Sequence, residues 1–146
     1  SQRLKKAFPH LRGVKDSAGD VNRLKEEVGM RLPDFDVICG ADHETFTALK
    51  LGAVASVTST ANTFPEVFQA VYTAFDAGNL DAAEQAQTRL TALTKVLREG
   101  RMLASYKTAL SLRGVDVGTV RPPQRELTDA EREHLRAGLV ELKLLS

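Results

Sequence analysis

Three short apolar segments, Leu11–Lys15, Phe35–Cys39 and Ala53–Thr58, are separated by two amphipathic helical stretches, and this alternation constrains the fold more than any other feature. Strands alternating with helices form a parallel sheet, joined by right-handed crossovers. The three segments are therefore expected to lie side by side in chain order. The third is small and β-branched, which suits a strand closely covered on both faces. Three strands leave an open edge on each side, so the pattern asks for more strands.

Local signals set the helices. Asp20 can cap the first by accepting from its free N–H groups, with Val21, Leu24 and Val28 on one face and Gly29 as the stop. Asp42 opens the second, which turns Phe46 and Leu49 inward and ends at Gly52. Beyond Thr58 the pattern is helical throughout. Pro65 suits a first turn, where its missing N–H costs least, and Val67, Phe68, Val71, Tyr72 and Phe75 form the apolar face up to Gly78. Ala83, Ala86, Leu90, Leu93 and Leu97 recur at steps of three and four, as on a helix packed against helices. Met102, Leu103, Tyr106 and Leu110 mark another helix ending at Gly114, and Arg121-Pro122-Pro123 must be extended. Thr128 and Glu131 form a capping box for a last helix with Leu135, Leu139 and Leu142 inward.

Charge and composition narrow the function classes. In 146 residues, 20 Lys+Arg against 19 Asp+Glu leave a net charge of +1, without the basic excess of a nucleic-acid protein. Hydrophobic residues make up 42% and charged ones 27%, the balance of an ordinary globular chain. The longest apolar runs fall far short of the roughly 20 residues of a spanning helix. The single Cys39 allows no intrachain disulfide and fits a reducing, cytoplasmic setting. Ser1 to Ala7 reads like the tail of a helix already under way, so a longer parent chain is expected.

Most chemistry can be set aside. His10, His43, His134 and Cys39 lack ligand spacing, so no metal site is expected. Neither a G-x-G-x-x-G nor a Walker loop is present, nor a G-x-S-x-G nucleophile motif. What remains is a set of polar residues at the C-terminal ends of the strands, where parallel α/β folds build their sites: Lys15, Asp42 after Gly40, and Thr58 with Ser59. Only about 0.04% of an ordinary lysine is neutral at pH 7, so a nucleophilic amine needs an apolar, desolvated sheet end. Lysines are common, so the residues alone favour reading Lys15 as a solvated lysine just past a strand.

The segment Gly13-Val14-Lys15-Asp16-Ser17-Ala18-Gly19-Asp20 resembles the Schiff-base lysine segment of the dihydrodipicolinate synthase and N-acetylneuraminate lyase family. The likeness continues through Cys39-Gly40-Ala41-Asp42, residues Leu51 to Asn62, Pro65, the Ala74 to Asp81 junction, Lys107 and Gly118 to Pro123. It implies a fold: α/β, the C-terminal part of a (β/α)8 TIM barrel (strands six to eight), followed by a C-terminal helical extension. Residues 1–78 would be the barrel part and residues 79–146 the extension. A complete (β/α)8 barrel takes about 250 residues. The family's catalytic tyrosine and its phosphate-loop-like segment precede the lysine, and neither Tyr72 nor Tyr106 matches that tyrosine.

The resemblance further implies a class I lyase or aldolase acting on pyruvate and 2-oxo acids. Lys15 forms a covalent imine with the substrate, and no cofactor or metal is used. The main chain at Val57 would line the pyruvate pocket, with Gly40, Asp42 and Ser59 facing the second substrate. Asp42 can instead be a helix N-cap, Ser59 a packing hydroxyl, and Asn62 a loop-fixing residue. Some positions depart from the family: Ala55 stands for a common glycine, Val57 for an isoleucine, Ala41 for an acidic residue, and His43 for the second acidic residue of sialic acid lyases. The activity expected is that of a 2-keto-3-deoxy sugar-acid or 4-hydroxy-2-oxo-acid aldolase, with dihydrodipicolinate synthase as the alternative. Partners would be small 2-oxo acids and aldehydes, in a homotetramer or with an N-terminal half-barrel segment. A reading of another class is a non-catalytic half-barrel assembly module.

Overall fold

The computed structural model describes residues 1–146. Three strands, β1 (Gly13–Asp16), β2 (Asp36–Cys39) and β3 (Ala55–Ser56), form one parallel sheet in the order β1-β2-β3. The expected adjacency and direction are observed. The boundaries shift, since β1 starts at Gly13 rather than Leu11 and includes Asp16.

The shortness of β3 has a local cause. The carbonyls of Val37 and Cys39, two residues apart, accept from the N–H groups of Val54 and Val57, three residues apart, at 3.0 and 2.9 Å. The extra residue is a bulge, which interrupts the ladder and re-aims the side chains around it. Ala53 is consequently buried beside Val37, while Val54 is 57% exposed.

Helix α1 (Gln2–Ala7) precedes the sheet, and α2 (Val21–Gly29) and α3 (Thr45–Leu51) connect its strands. Asp20 caps α2 by accepting from the N–H groups of Asn22 and Arg23. A single 3-10 turn, Asp42–Glu44, leads into α3, which ends at Gly52 with φ at 105°, a backbone position that favours glycine. Leu24 of α2 and Ala48 of α3 pack with Val37, Cys39, Ala41 and Ala53 into a small core on one face of the sheet.

Five helices follow: the single-turn α4 (Thr60–Thr63), then α5 (Pro65–Asp76), α6 (Leu80–Arg98), α7 (Met102–Leu112) and α8 (Asp129–Glu141). Pro65 opens α5, and the Thr128–Glu131 capping box opens α8. A larger core joins them. Phe46, Phe64, Val67 and Val71 from before residue 78 pack against Leu90, Leu93, Leu97, Ala109 and Leu139 from after it. Burying each large apolar side chain stabilises by about 1.5–3 kcal/mol, so the helical segment is bound firmly to the last turns of the α/β segment. No helix is long and apolar enough to cross a membrane.

Candidate active site

The two faces of the sheet differ in what they carry. Lys15 pairs with Ile38, whereas Val14 pairs with Val37 and Asp16 with Cys39. Side chains alternate along a strand, so Val14, Val37 and Cys39 meet the helices while Lys15 points to the opposite face. Lys15 is exposed there, beyond half-buried Ile38.

Buried groups hold the strand exits in place. Asp16 accepts from the N–H of Ala18 through Oδ1 at 2.9 Å and meets Arg23 Nε through Oδ2 at 3.1 Å, closing the turn behind Lys15. Gly40 donates its N–H to the Asp16 carbonyl at 2.6 Å. A Cβ at position 40 would lie 2.9 Å from Ser17 Cβ and 3.0 Å from the Asp16 carbonyl, so only glycine allows these two loops their close approach. His43 stands half-exposed at the same mouth, against Gly19 and 3.9 Å from Glu44 Oε1. Burial pushes the Glu44 carboxyl above its ordinary value, against the opposing pull of His43.

Asp42 is fully buried, and it does not cap a helix: residue Ala41 precedes the 3-10 turn and no side chain caps it. Its Oδ2 accepts from the Thr60 hydroxyl at 3.1 Å and lies 3.6 Å from Arg98 Nη2, while Oδ1 is buried without a hydrogen bond. The Thr60 proton is committed to that carboxylate, so the Tyr106 hydroxyl, 3.0 Å away, donates to Thr60. Gln87 completes the clasp by donating to the Asp42 carbonyl at 3.0 Å and accepting from the Phe46 N–H at 2.8 Å. Residues of α6 and α7 thus grip the segments that follow β2 and β3.

Val57 is 54% exposed and its N–H is used by the Cys39 carbonyl. Ser59, also exposed, is the one sequence-predicted site residue that lines a cavity, a groove of about 240 Å³ between α4 and α7. The strand order brings the exits bearing Lys15, Gly40 and Val57 together at one end of the sheet. The Asp42 carboxylate is turned into the protein. Tyr72 donates to Ser56 Oγ at 3.0 Å on the helix side of the sheet, away from Lys15, and burial pushes its phenol up. Burial also pushes the Cys39 thiol up, leaving it an inert packing group. No group of three or more His, Cys, Asp or Glu side chains gathers in a metal-binding arrangement.

The sequence reading missed the Thr60–Tyr106 pair, taking Tyr106 for part of an apolar face. One signal was available: a buried tyrosine hydroxyl needs a partner.

The model of the Dihydrodipicolinate synthetase family matches residues 1–142. The chain belongs to this family. An uncharacterized DapA-like lyase of Halobacterium salinarum is 36% identical over 135 residues, 92% of this chain and 44% of the relative. Among solved structures, a dihydrodipicolinate synthase from Bacillus anthracis superposes with a TM-score of 0.88 at 31% identity, over 94% of this chain and 47% of that one. A prophage protein of the dihydrodipicolinic acid synthase family from E. coli K12, solved in complex with pyruvate, gives 0.88 at 26% identity, over 97% and 49%. The 2-keto-3-deoxygluconate aldolase of Sulfolobus solfataricus, solved as a variant, gives 0.83 at 26% identity, over 99% and 52%. The chain therefore spans about half the length of the proteins it matches.

Proposed function

We propose that this chain is the lysine-bearing, C-terminal part of a (β/α)8 barrel that acts as a class I lyase or aldolase on pyruvate and related 2-oxo acids. Residues 1–78 supply strands six to eight and residues 79–146 the helical extension. The observation that carries the reading is the placement of Lys15, on a strand of a parallel sheet and on the face that no helix covers. In a barrel that face is the interior, and covering it removes water and favours the neutral amine. The pyruvate bound to the E. coli family member supports the same substrate class.

The chemistry follows from the amine. Lys15 Nζ adds to C2 of pyruvate and expels water, giving a protonated imine that acts as the electron sink. Loss of a C3 proton forms an enamine, and C3 then bonds to the carbonyl carbon of an aldehyde whose oxygen takes up a proton. Water hydrolyses the imine and releases a 4-hydroxy-2-oxo acid, and the reverse order cleaves one. In this reading Val57 offers its main chain to pyruvate, and Gly40 and Ser59 face the aldehyde. Asp42, assigned to that second substrate by the resemblance, contributes by fixing the segment between Gly40 and α3.

The specific activity proposed is that of a 2-keto-3-deoxy sugar-acid or 4-hydroxy-2-oxo-acid aldolase, and the synthase of the dihydrodipicolinate type is supported equally by the relatives. A second reading, a non-catalytic half-barrel assembly module, rests on the unpaired outer edges of β1 and β3. The deciding experiment treats the full-length protein with pyruvate and borohydride. One pyruvate-derived adduct on the peptide Gly13–Asp20, abolished by Lys15→Arg, is the expected result, because a guanidinium stays protonated. A label on Lys50 or Lys107 instead would refute the assignment of Lys15.

A further inference from the structure

Helix α4 is a single turn, and a helix that short does not persist by its own hydrogen bonds. Ser59 just before it and Asn62 within it are exposed, while Thr60, Thr63 and Phe64 are buried. Contacts from outside must therefore set which way the turn faces. Helix α7 supplies them at both ends. Tyr106 meets Thr60 at the start of α4, and Arg113, directly after α7, meets Thr63 at its end. The two side chains are seven residues apart, a spacing that returns to the same helix face after two turns.

The contacts at the Arg113 end are those of a guanidinium. No main-chain N–H donates to the Thr63 carbonyl, and Arg113 Nη1 does so instead. Arg113 Nη2 lies 2.9 Å from Glu66 Oε1 and Nη1 lies 3.4 Å from Oε2, a forked pair with the first turn of α5. The same group covers the Phe64 ring, with Cζ 4.6 Å from the ring centroid. One side chain thus holds Thr63, Phe64 and Glu66, the junction where α4 gives way to α5. The start of the segment has other supports: the Val57 N–H is fixed on the Cys39 carbonyl, and Lys15 belongs to β1.

We propose that Arg113 is a positioning residue for the second substrate, acting from the end of α7 through α4 on Ser59. The inference rests on the aldolase reading, in which Ser59 faces the aldehyde, and it adds the group that keeps that hydroxyl in place. Arg113 acts without touching substrate. Released from it, the junction of α4 and α5 samples other arrangements, and binding the aldehyde must then order the segment at a cost in affinity. Pyruvate, held beside Val57 and joined to Lys15, does not bear that cost.

The test uses the full-length protein and the steady-state addition of pyruvate to glyceraldehyde, with borohydride trapping of the imine as the control. Arg113→Met keeps an unbranched stem over Phe64 and removes the guanidinium. It should raise KM for glyceraldehyde about tenfold, the effect of losing one hydrogen bond to a charged group. The kcat, the KM for pyruvate and the trapping rate should stay within about twofold. Arg113→Lys should recover about half of the loss on a logarithmic scale, because an ammonium reaches the Thr63 carbonyl but cannot fork to Glu66. Glu66→Gln, at a carboxylate 51% exposed, should raise the same constant with little risk to the fold. A merely structural anchor would instead lower kcat and the yield of trapped imine together, with both KM values unchanged, and that result overturns the proposal. So does a rise in KM shared equally by pyruvate. A wild-type protein that forms no imine, or does not add glyceraldehyde, overturns the aldolase reading and this inference with it.

Discussion

The Thr60 hydroxyl donates to Asp42 across 3.1 Å, joining the segment that leaves β2 to the segment that leaves β3. Strand exits in a parallel sheet are held by the ladder only as far as the ladder extends, and here β3 contributes two residues to it. The rest of the alignment comes from this buried pair and from the α6 and α7 residues that reach it. Helices α6 and α7 thus position the segments that bear the candidate site.

That arrangement predicts a graded loss of stability. Tyr106→Phe removes one hydrogen bond from a buried hydroxyl and should cost about 1 kcal/mol. Asp42→Ala should cost more, about 3 kcal/mol, because it leaves the Thr60 hydroxyl and Arg98 without their buried acceptor. Urea midpoints measure both. The double variant should lose less than the sum of the two, as expected for members of one network.

Glycines 40 and 29 should respond in opposite directions. Alanine at position 40 is forced against Ser17 and the Asp16 carbonyl and should destabilise by about 1–3 kcal/mol. Gly29, the last residue of α2, has open space around an added Cβ. Gly29→Ala should stabilise by about 0.5–1 kcal/mol. Thermal unfolding of the two variants side by side checks the contrast.

Two buried or hydrogen-bonded carboxyls predict opposite pH effects. Burial raises the Glu44 carboxyl in the folded state, so its contribution is fully present below the ordinary glutamate value of about 4.3 and is lost as pH rises through the folded value. Glu131 is lowered, chiefly by the Thr128 N–H that it accepts, so its contribution is present above the ordinary value and is lost as pH falls through the folded one. Glu44→Gln should therefore gain stability over wild type on going from pH 4 to pH 7. Glu131→Gln should be most destabilising at neutral pH and converge on wild type in acid. Urea midpoints across that range check both signs.

What could be read from sequence was what local physics decides. The caps at Asp20 and Thr128 are satisfied within three residues, so residue type and spacing reveal them. The sheet order followed from alternation and crossover handedness. The truncation of β3 was not legible, because the bulge depends on how Val54 and Val57 meet β2. Asp42 carried an equally local signal that proved misleading: the acid preferred Thr60, 18 residues on, to the backbone of its own turn. Tyr106 shows the same limit, since its apolar neighbours set its helical face while its hydroxyl answers to a residue 46 positions away.

The reactivity of Lys15 should depend on cover that these 146 residues leave open. The lysine is exposed on a sheet face without helices, and the outer edges of β1 and β3 have no paired strand. Water reaching the amine favours the ammonium form, which cannot add to a carbonyl. Unpaired edges favour association with other chains or segments. The isolated 146-residue chain should therefore trap pyruvate with borohydride at least about tenfold more slowly than the full-length protein, reflecting a neutral fraction set by solvent. It should also sediment as concentration-dependent oligomers. Adding a segment that supplies the remaining strands should restore trapping and suppress self-association together, since one surface governs both. A monodisperse monomer that traps pyruvate as fast as the full-length protein would show that Lys15 needs no such cover.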